Sequence, residues 1–229
     1  MDLYGQKNQS IPQKTTIIIL EILFLWLSCW MLFQHGGEIV SQWVGIKNQS
    51  NSINRRIIIF SFSVIVFLRL GFTMVYLLKR KIPWEESISI PFAFALYYIG
   101  FAIFVLSTNK QIDYWDYIGI FIFISGSFLN TNSELQRHFW KKKQENKGKL
   151  YTKGLFGYSM HINYFGDLLW VVAYAIITRN WYSAFIPVFL FCFFAFYNIP
   201  KLDSYLASKY GEQFDNYKKK TKKFIPFVY

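Results

Sequence analysis

The feature that most limits this chain is a succession of apolar stretches, each close to the roughly twenty residues that a helix needs to cross a bilayer. They cover 15–33, 57–78, 87–106, 114–129, 155–178 and 181–199, the fourth and sixth being short or interrupted. Hydrocarbon offers no partner for a backbone N–H or C=O, so stretches of this length are expected to be helices. The apolar/polar alternation of a membrane barrel strand is missing. The expected fold class is therefore all-α, a polytopic membrane helix bundle of about six transmembrane helices. Residues 1–229 read as a single integral membrane domain, with N-terminal spans in 1–124 on the substrate side and a more polar C-terminal half in 125–229 on the cofactor side.

Composition agrees: 53% hydrophobic and 21% aromatic residues lie far from the soluble average. A net charge of +12 would suit nucleic acid if the cations shared one soluble face, but they sit between the apolar runs and towards the C-terminus. No nucleic-acid partner is expected. The partners implied are the lipid bilayer, its anionic headgroups and an anionic cofactor. With both termini placed in the cytoplasm, the inside segments hold 19 lysines and arginines and the outside loops five, the asymmetry that sets orientation. Arg55 and Arg56, in the first outside loop, run against it. Cys29 and Cys192 fall within apolar runs, and His35, His138 and His161 are scattered. Neither a disulfide framework nor a metal site is expected. Nothing in the sequence specifies an oligomeric state.

Ionisable groups inside spans are costly and need a partner or a cavity. Glu21, about a turn from the cytoplasmic end of its run, is expected to snorkel to the interface. Arg69, near the middle of the second run, is either half of an ion pair within the bundle or part of an interior site. Glu85 and Glu86 follow Pro83 and open the third run, where acids cap a helix dipole or, beside a cavity, supply a proton. Tyr97 and Tyr98 lie about three turns further along that helix, as packing or as part of the same site.

The densest polar constellation runs from Asn130 to Asp167. Asn130, Glu134, Arg137 and Lys141 recur at spacings of four, three and four, one face of a helix leaving the fourth span. The stretch LYTKGLFGYSMHINYFGDLLW then supplies glycines that permit close backbone approach to a ligand. His161 stands at the mouth of the fifth span, and Asn163, Asp167, Trp170 and Tyr174 share one helical face. After a proline break at Pro200, an amphipathic tail is expected either to lie in the membrane interface or to fold back over the cytoplasmic opening.

Five motifs in order, N-x-x-S-E at 130–134, G-L-F-x-Y at 154–158, N-Y-F-G-D at 163–167, K-Y-G-x-x-F-x-x-Y at 209–217 and a closing F-I-P-F-V-Y, resemble the C-terminal half of the steroid 5-alpha-reductase superfamily. The resemblance covers about 125–229 and is nearest to the bacterial group called domain of unknown function 1295. It implies a membrane-embedded NADPH-dependent reductase of a C=C bond in a lipid-like steroid, enone or isoprenoid substrate. It also implies a bacterial inner-membrane location with the cofactor side cytoplasmic. Carried over, Asn130, Glu134, Gly154, Leu155, Phe156, Tyr158, Asn163, Tyr164, Asp167 and Tyr217 belong to the cofactor wall, Asp167 standing where the family usually has Glu. Arg137 and Lys147 are available to the cofactor phosphates, and His161 and Asp203 complete the set. The catalytic acid and tyrosine of such an enzyme are assigned by position to Glu86 and Tyr98.

The same region resembles isoprenylcysteine and phospholipid methyltransferases, which use S-adenosylmethionine. The R-H-P-x-Y motif of that family is here Met160-His161-Ile162, and Asp203 stands alone where paired glutamates are usual. A non-enzymatic lipid-binding membrane protein is the remaining alternative.

Overall fold

The computed structural model describes residues 8–46 and 53–229. Its first long element, α1 (Ile11–Phe33), buries Ile17, Glu21, Ser28, Met31 and Leu32 along one face. The opposite face, with Ile19, Ile22, Leu23 and Trp26, is exposed. An apolar exterior is what lipid requires of a spanning helix. At about 1.5 Å per residue, its 23 residues reach a little beyond the roughly 30 Å hydrocarbon core. A short helix, α2 (Gly36–Val44), follows.

The next two spans are α3 (Ile53–Leu77) and α4 (Trp84–Leu106). Both contain a widened π turn, Thr73–Leu77 in α3 and Leu96–Gly100 in α4. Such turns are rare and recur at functional sites. The one in α4 carries Tyr97 and Tyr98.

α5 (Tyr114–Lys142) is a single helix of 29 residues, so the apolar run expected at 114–129 is only its first half. α6 (Ile162–Thr178) starts seven residues later than the apolar run suggests, because Gly154–Gly157 forms a 3-10 turn that Gly154 opens at φ +60°. α7 (Trp181–Tyr210) does not break at Pro200. The π turn Phe194–Asn198 just before it loosens the backbone where the proline ring would otherwise strike the preceding turn. α8 (Glu212–Lys220) closes the helical series.

Among the described residues, four helices are both long and apolar enough to cross a membrane, namely α1, α3, α4 and α7, and α6 is a shorter apolar helix. α5 has the length, but its second half is the polar face read from the sequence. The fold is thus an all-α, polytopic membrane helix bundle, and the protein is integral to the membrane.

Contacts divide the chain into two compact units: Met1–Gly119 with Tyr174–Ile186, and Ile120–Ala173 with Pro187–Tyr229. In the first, the guanidinium of Arg55 holds Asp116 through both nitrogens, Nη1 to Oδ1 at 2.5 Å and Nη2 to Oδ2 at 2.9 Å. The same nitrogens also donate to carbonyls, Nη1 to that of Ile177 and Nη2 to those of Lys110 and Gln111. Arg56 donates to the carbonyl of Leu32. The two arginines that oppose the charge asymmetry are therefore tied down, one of them neutralised by a buried carboxylate.

In the second unit, α5 and α6 touch backbone to backbone. A Cβ added to Gly166 would lie 2.6 Å from the Asn130 nitrogen and 2.7 Å from the Gly126 oxygen, and one on Gly126 would meet Gly166 and Trp170 as closely. Small residues allow this approach in membranes. Gly166 therefore serves the facing helix rather than a ligand.

Candidate functional site

The close contact of α5 and α6 brings the polar faces of both helices together. Asn130 Nδ2 donates to the Asn163 carbonyl at 3.2 Å, and Asn163 Nδ2 donates to Glu134 Oε1 at 3.0 Å. The other oxygen of Glu134 takes an ion pair from Arg137, one turn along. One turn after Asn163, Asp167 accepts from the Trp170 indole at 2.8 Å. Asn130, Glu134, Arg137, Asn163, Tyr164 and Asp167 are all only partly buried, so each keeps part of its surface accessible. Tyr174, further along the same face of α6, falls in the first unit.

The 154–161 loop and the tail complete the second unit. Gly154 permits Gln136 Oε1 to accept from the Leu155 N–H at 3.0 Å. Phe156 is buried beneath the Arg137 guanidinium, 5.6 Å from its ring centre. Tyr217 donates to the Phe156 carbonyl at 2.6 Å, and burial pushes its hydroxyl pKa well above the ordinary value. These residues hold the loop rather than present free polar groups.

His161 is almost fully buried. Its Nε2 lies 2.8 Å from Asp203 Oδ1, and the second Asp203 oxygen is 3.5 Å from Lys223 Nζ. The His161 ring stacks on Tyr164, which stacks on Phe194. The Met160 and His161 N–H groups donate to the Lys222 and Lys223 carbonyls. The tail therefore folds back onto the loop. Tyr158 and Lys147 are exposed and do not join the cluster, and Tyr158 packs instead against Phe227.

Lys141 stands on the Asn130 face. Its pKa is pushed down to about 8, first by desolvation and then by neighbouring Arg137 and Lys209, although much of its stem meets solvent.

The first unit holds a second polar group. Glu86 is paired with Arg80 at 2.5 Å, and twelve residues of helix place it about 18 Å from Tyr98. The two residues assigned by position do not meet. Tyr98 is fully buried beside Glu21, which is also fully buried. The two interact electrostatically, and the geometry gives neither Glu21 oxygen nor the Tyr98 hydroxyl a closed hydrogen bond to a described residue. Glu21 thus turns inward instead of snorkelling. Its position on the 17, 21, 28, 32 face of α1 is the signal that could have found it. Tyr174, buried in the same unit, donates to Ser63 at 3.2 Å and stacks on Phe101, with the charge of Arg69 acting on it.

A family model described as "Protein of unknown function (DUF1295)" matches residues 88–221, well over half of the chain. The chain belongs to this family. The DUF1295 match takes in Tyr98 and the cluster from Asn130 to Tyr217, and it leaves out Glu21 and Glu86. This DUF1295 chain is 30% identical over 111 residues to 3-oxo-5-alpha-steroid 4-dehydrogenase 2 of Rattus norvegicus, covering 48% of the chain and 42% of the relative. It is 33% identical over 104 residues to Delta(14)-sterol reductase erg24 of Schizosaccharomyces pombe, covering 44% and 24%. Protein-S-isoprenylcysteine O-methyltransferase of Schizosaccharomyces pombe is 24% identical over 108 residues, covering 45% and 46%. The chain spans less than half the length of these curated relatives.

Proposed function

We propose that this chain is a membrane-embedded, NADPH-dependent reductase of a C=C bond conjugated to a carbonyl in a lipid-like substrate. The observation that carries the reading is the partly buried chain Asn130–Asn163–Glu134–Arg137. A dinucleotide phosphate needs groups for ribose hydroxyls, cations for phosphates and flat faces for its rings. Asn130, Asn163, Glu134 and Asp167 fit the first need and Arg137 and Lys141 the second, while the Tyr164 ring is already stacked on His161 and Phe194. When bound, the reduced nicotinamide supplies a hydride.

Addition of hydride to the β-carbon of an enone moves negative charge onto the carbonyl oxygen. In the first unit, the Tyr98 hydroxyl is available to donate a hydrogen bond to such an oxygen, since it bonds to no described residue. Glu21 beside it replaces Glu86 as the acidic partner. In a water-poor interior, a donor already in place stabilises developing charge strongly. The reading carries with it a bacterial inner-membrane location with the cofactor side cytoplasmic.

Titration of the detergent-purified protein with NADPH and with S-adenosylmethionine tests it. Saturable NADPH binding weakened about tenfold or more by Asn163→Ala or Asp167→Ala supports the reductase. Binding of S-adenosylmethionine alone overturns it in favour of a methyltransferase, the reading that the isoprenylcysteine methyltransferase relative keeps open. Binding of neither favours a non-enzymatic lipid-binding protein.

A further inference from the structure

Where α1 begins and α3 ends, a groove of about 690 Å³ is lined by Asn8, Gln9, Ile11, Lys14, Thr15, Ile18, Val75, Leu78 and Lys79. Its walls are of two kinds. Ile11, Ile18, Val75 and Leu78 form the apolar part, with Ile11 and Val75 largely exposed. Lys14 and Lys79 form the charged part.

The framework around it is firmly held. Lys14 Nζ donates to the Leu78 carbonyl at 2.8 Å, which secures the end of α3 and leaves two further N–H donors on the ammonium. The Asn8 N–H donates to the Lys79 carbonyl, and the Ile82 N–H donates to the buried Ser10 hydroxyl at 3.0 Å. A neighbouring cavity of about 430 Å³ shares Asn8, Gln9 and Ile11 and adds Lys81. Among the described residues lining the two cavities there is no aspartate or glutamate.

α1 only slightly exceeds the hydrocarbon thickness, so its first turns lie where acyl chains give way to headgroups. At that depth an apolar wall carrying two cations complements one kind of molecule, an amphiphile with a negative head. We propose that this groove binds a phospholipid of net negative charge, its phosphate between Lys14 and Lys79 and an acyl chain along Ile18 and Val75. A zwitterionic headgroup brings its own cation to the same lysines and is disfavoured. The site lies in the first unit and does not depend on the reductase reading.

Native mass spectrometry of the full chain, released from a neutral detergent, tests the proposal without any activity measurement. With equal amounts of phosphatidylglycerol and phosphatidylcholine bearing the same acyl chains, a single phosphatidylglycerol adduct is expected to persist. Lys14→Gln/Lys79→Gln should lower its occupancy by about fivefold or more, and Lys79→Gln alone, on an exposed side chain, should act in the same direction. Lys149→Gln/Lys153→Gln, on the exposed loop of the second unit, should leave it unchanged. Equal retention of the two lipids, or an unaltered adduct in both groove variants, would overturn the proposal. Displacement by glycerol 3-phosphate as effectively as by phosphatidylglycerol would also overturn it, since the site would then recognise a phosphate rather than a lipid.

Discussion

Glu21 and Tyr98 are buried side by side on α1 and the π turn of α4, and neither the carboxyl oxygens nor the hydroxyl closes a hydrogen bond to a described residue. A polar group buried without a partner costs free energy, so the fold gains nothing from this hydroxyl. Tyr98→Phe is accordingly expected to leave thermal stability unchanged or slightly raised while the proposed reductase turnover falls by roughly 10²–10³-fold. NADPH oxidation with an enone, read beside a melting curve, checks both. Retained turnover would remove Tyr98 from the chemistry.

Gly166 faces backbone atoms that cannot move aside, whereas a Cβ on Gly71 would meet nothing within 4 Å. Gly166→Ala should therefore destabilise the protein by about 1–3 kcal/mol and weaken the proposed NADPH binding by parting Asn130 from Asn163. Gly71→Ala should change stability by less than about 0.5 kcal/mol. Thermal unfolding in detergent distinguishes the two.

Arg55 and Asp116 are both completely buried. Arg55→Ala leaves a carboxylate without its counter-charge and should cost about 3–5 kcal/mol, whereas Arg55→Met with Asp116→Leu should recover most of that loss. A double-mutant cycle on melting free energies measures the coupling. Additive losses would mean that the pair does not act as a unit.

Lys141 titrates near pH 8, so the cation proposed for the cofactor phosphate is present below that pH and fades above it. NADPH affinity should fall as pH rises through about 8, and Lys141→Arg, charged throughout this range, should flatten the decline. Binding titrations at several pH values decide the point. A decline just as steep in Lys141→Arg would assign the titration elsewhere.

Most of the helices were legible because their cause is local: a run of apolar residues in lipid has no other way to satisfy its backbone. The face from Asn130 to Lys141 was legible for the same reason, since the spacing along one helix sets it. Less visible was whatever depends on a distant neighbour. Glu21 reads as close enough to the interface to snorkel, but packing turns it inward beside the buried Tyr98; Glu86 and Tyr98 are joined by position alone, and the roughly three helical turns between them already keep them apart. Pro200 reads as a break in isolation, but the π turn before it carries α7 through. Tyr217 and Phe156 are motif residues whose hydrogen bond holds the loop in place, and spacing alone does not distinguish that role from contact with a cofactor. The motifs thus marked residues that the fold gathers on α5, α6 and the tail, and left the duty of each to its neighbours.

The carbonyls that receive the Met160 and His161 N–H groups and the Ser159 hydroxyl belong to Lys222, Lys223 and Phe224, over sixty positions downstream. A ribosome delivers the 159–161 segment long before its acceptors exist, so during synthesis water or a chaperone has to serve those donors. This corner of the protein therefore settles only after residues 222–224 have been made.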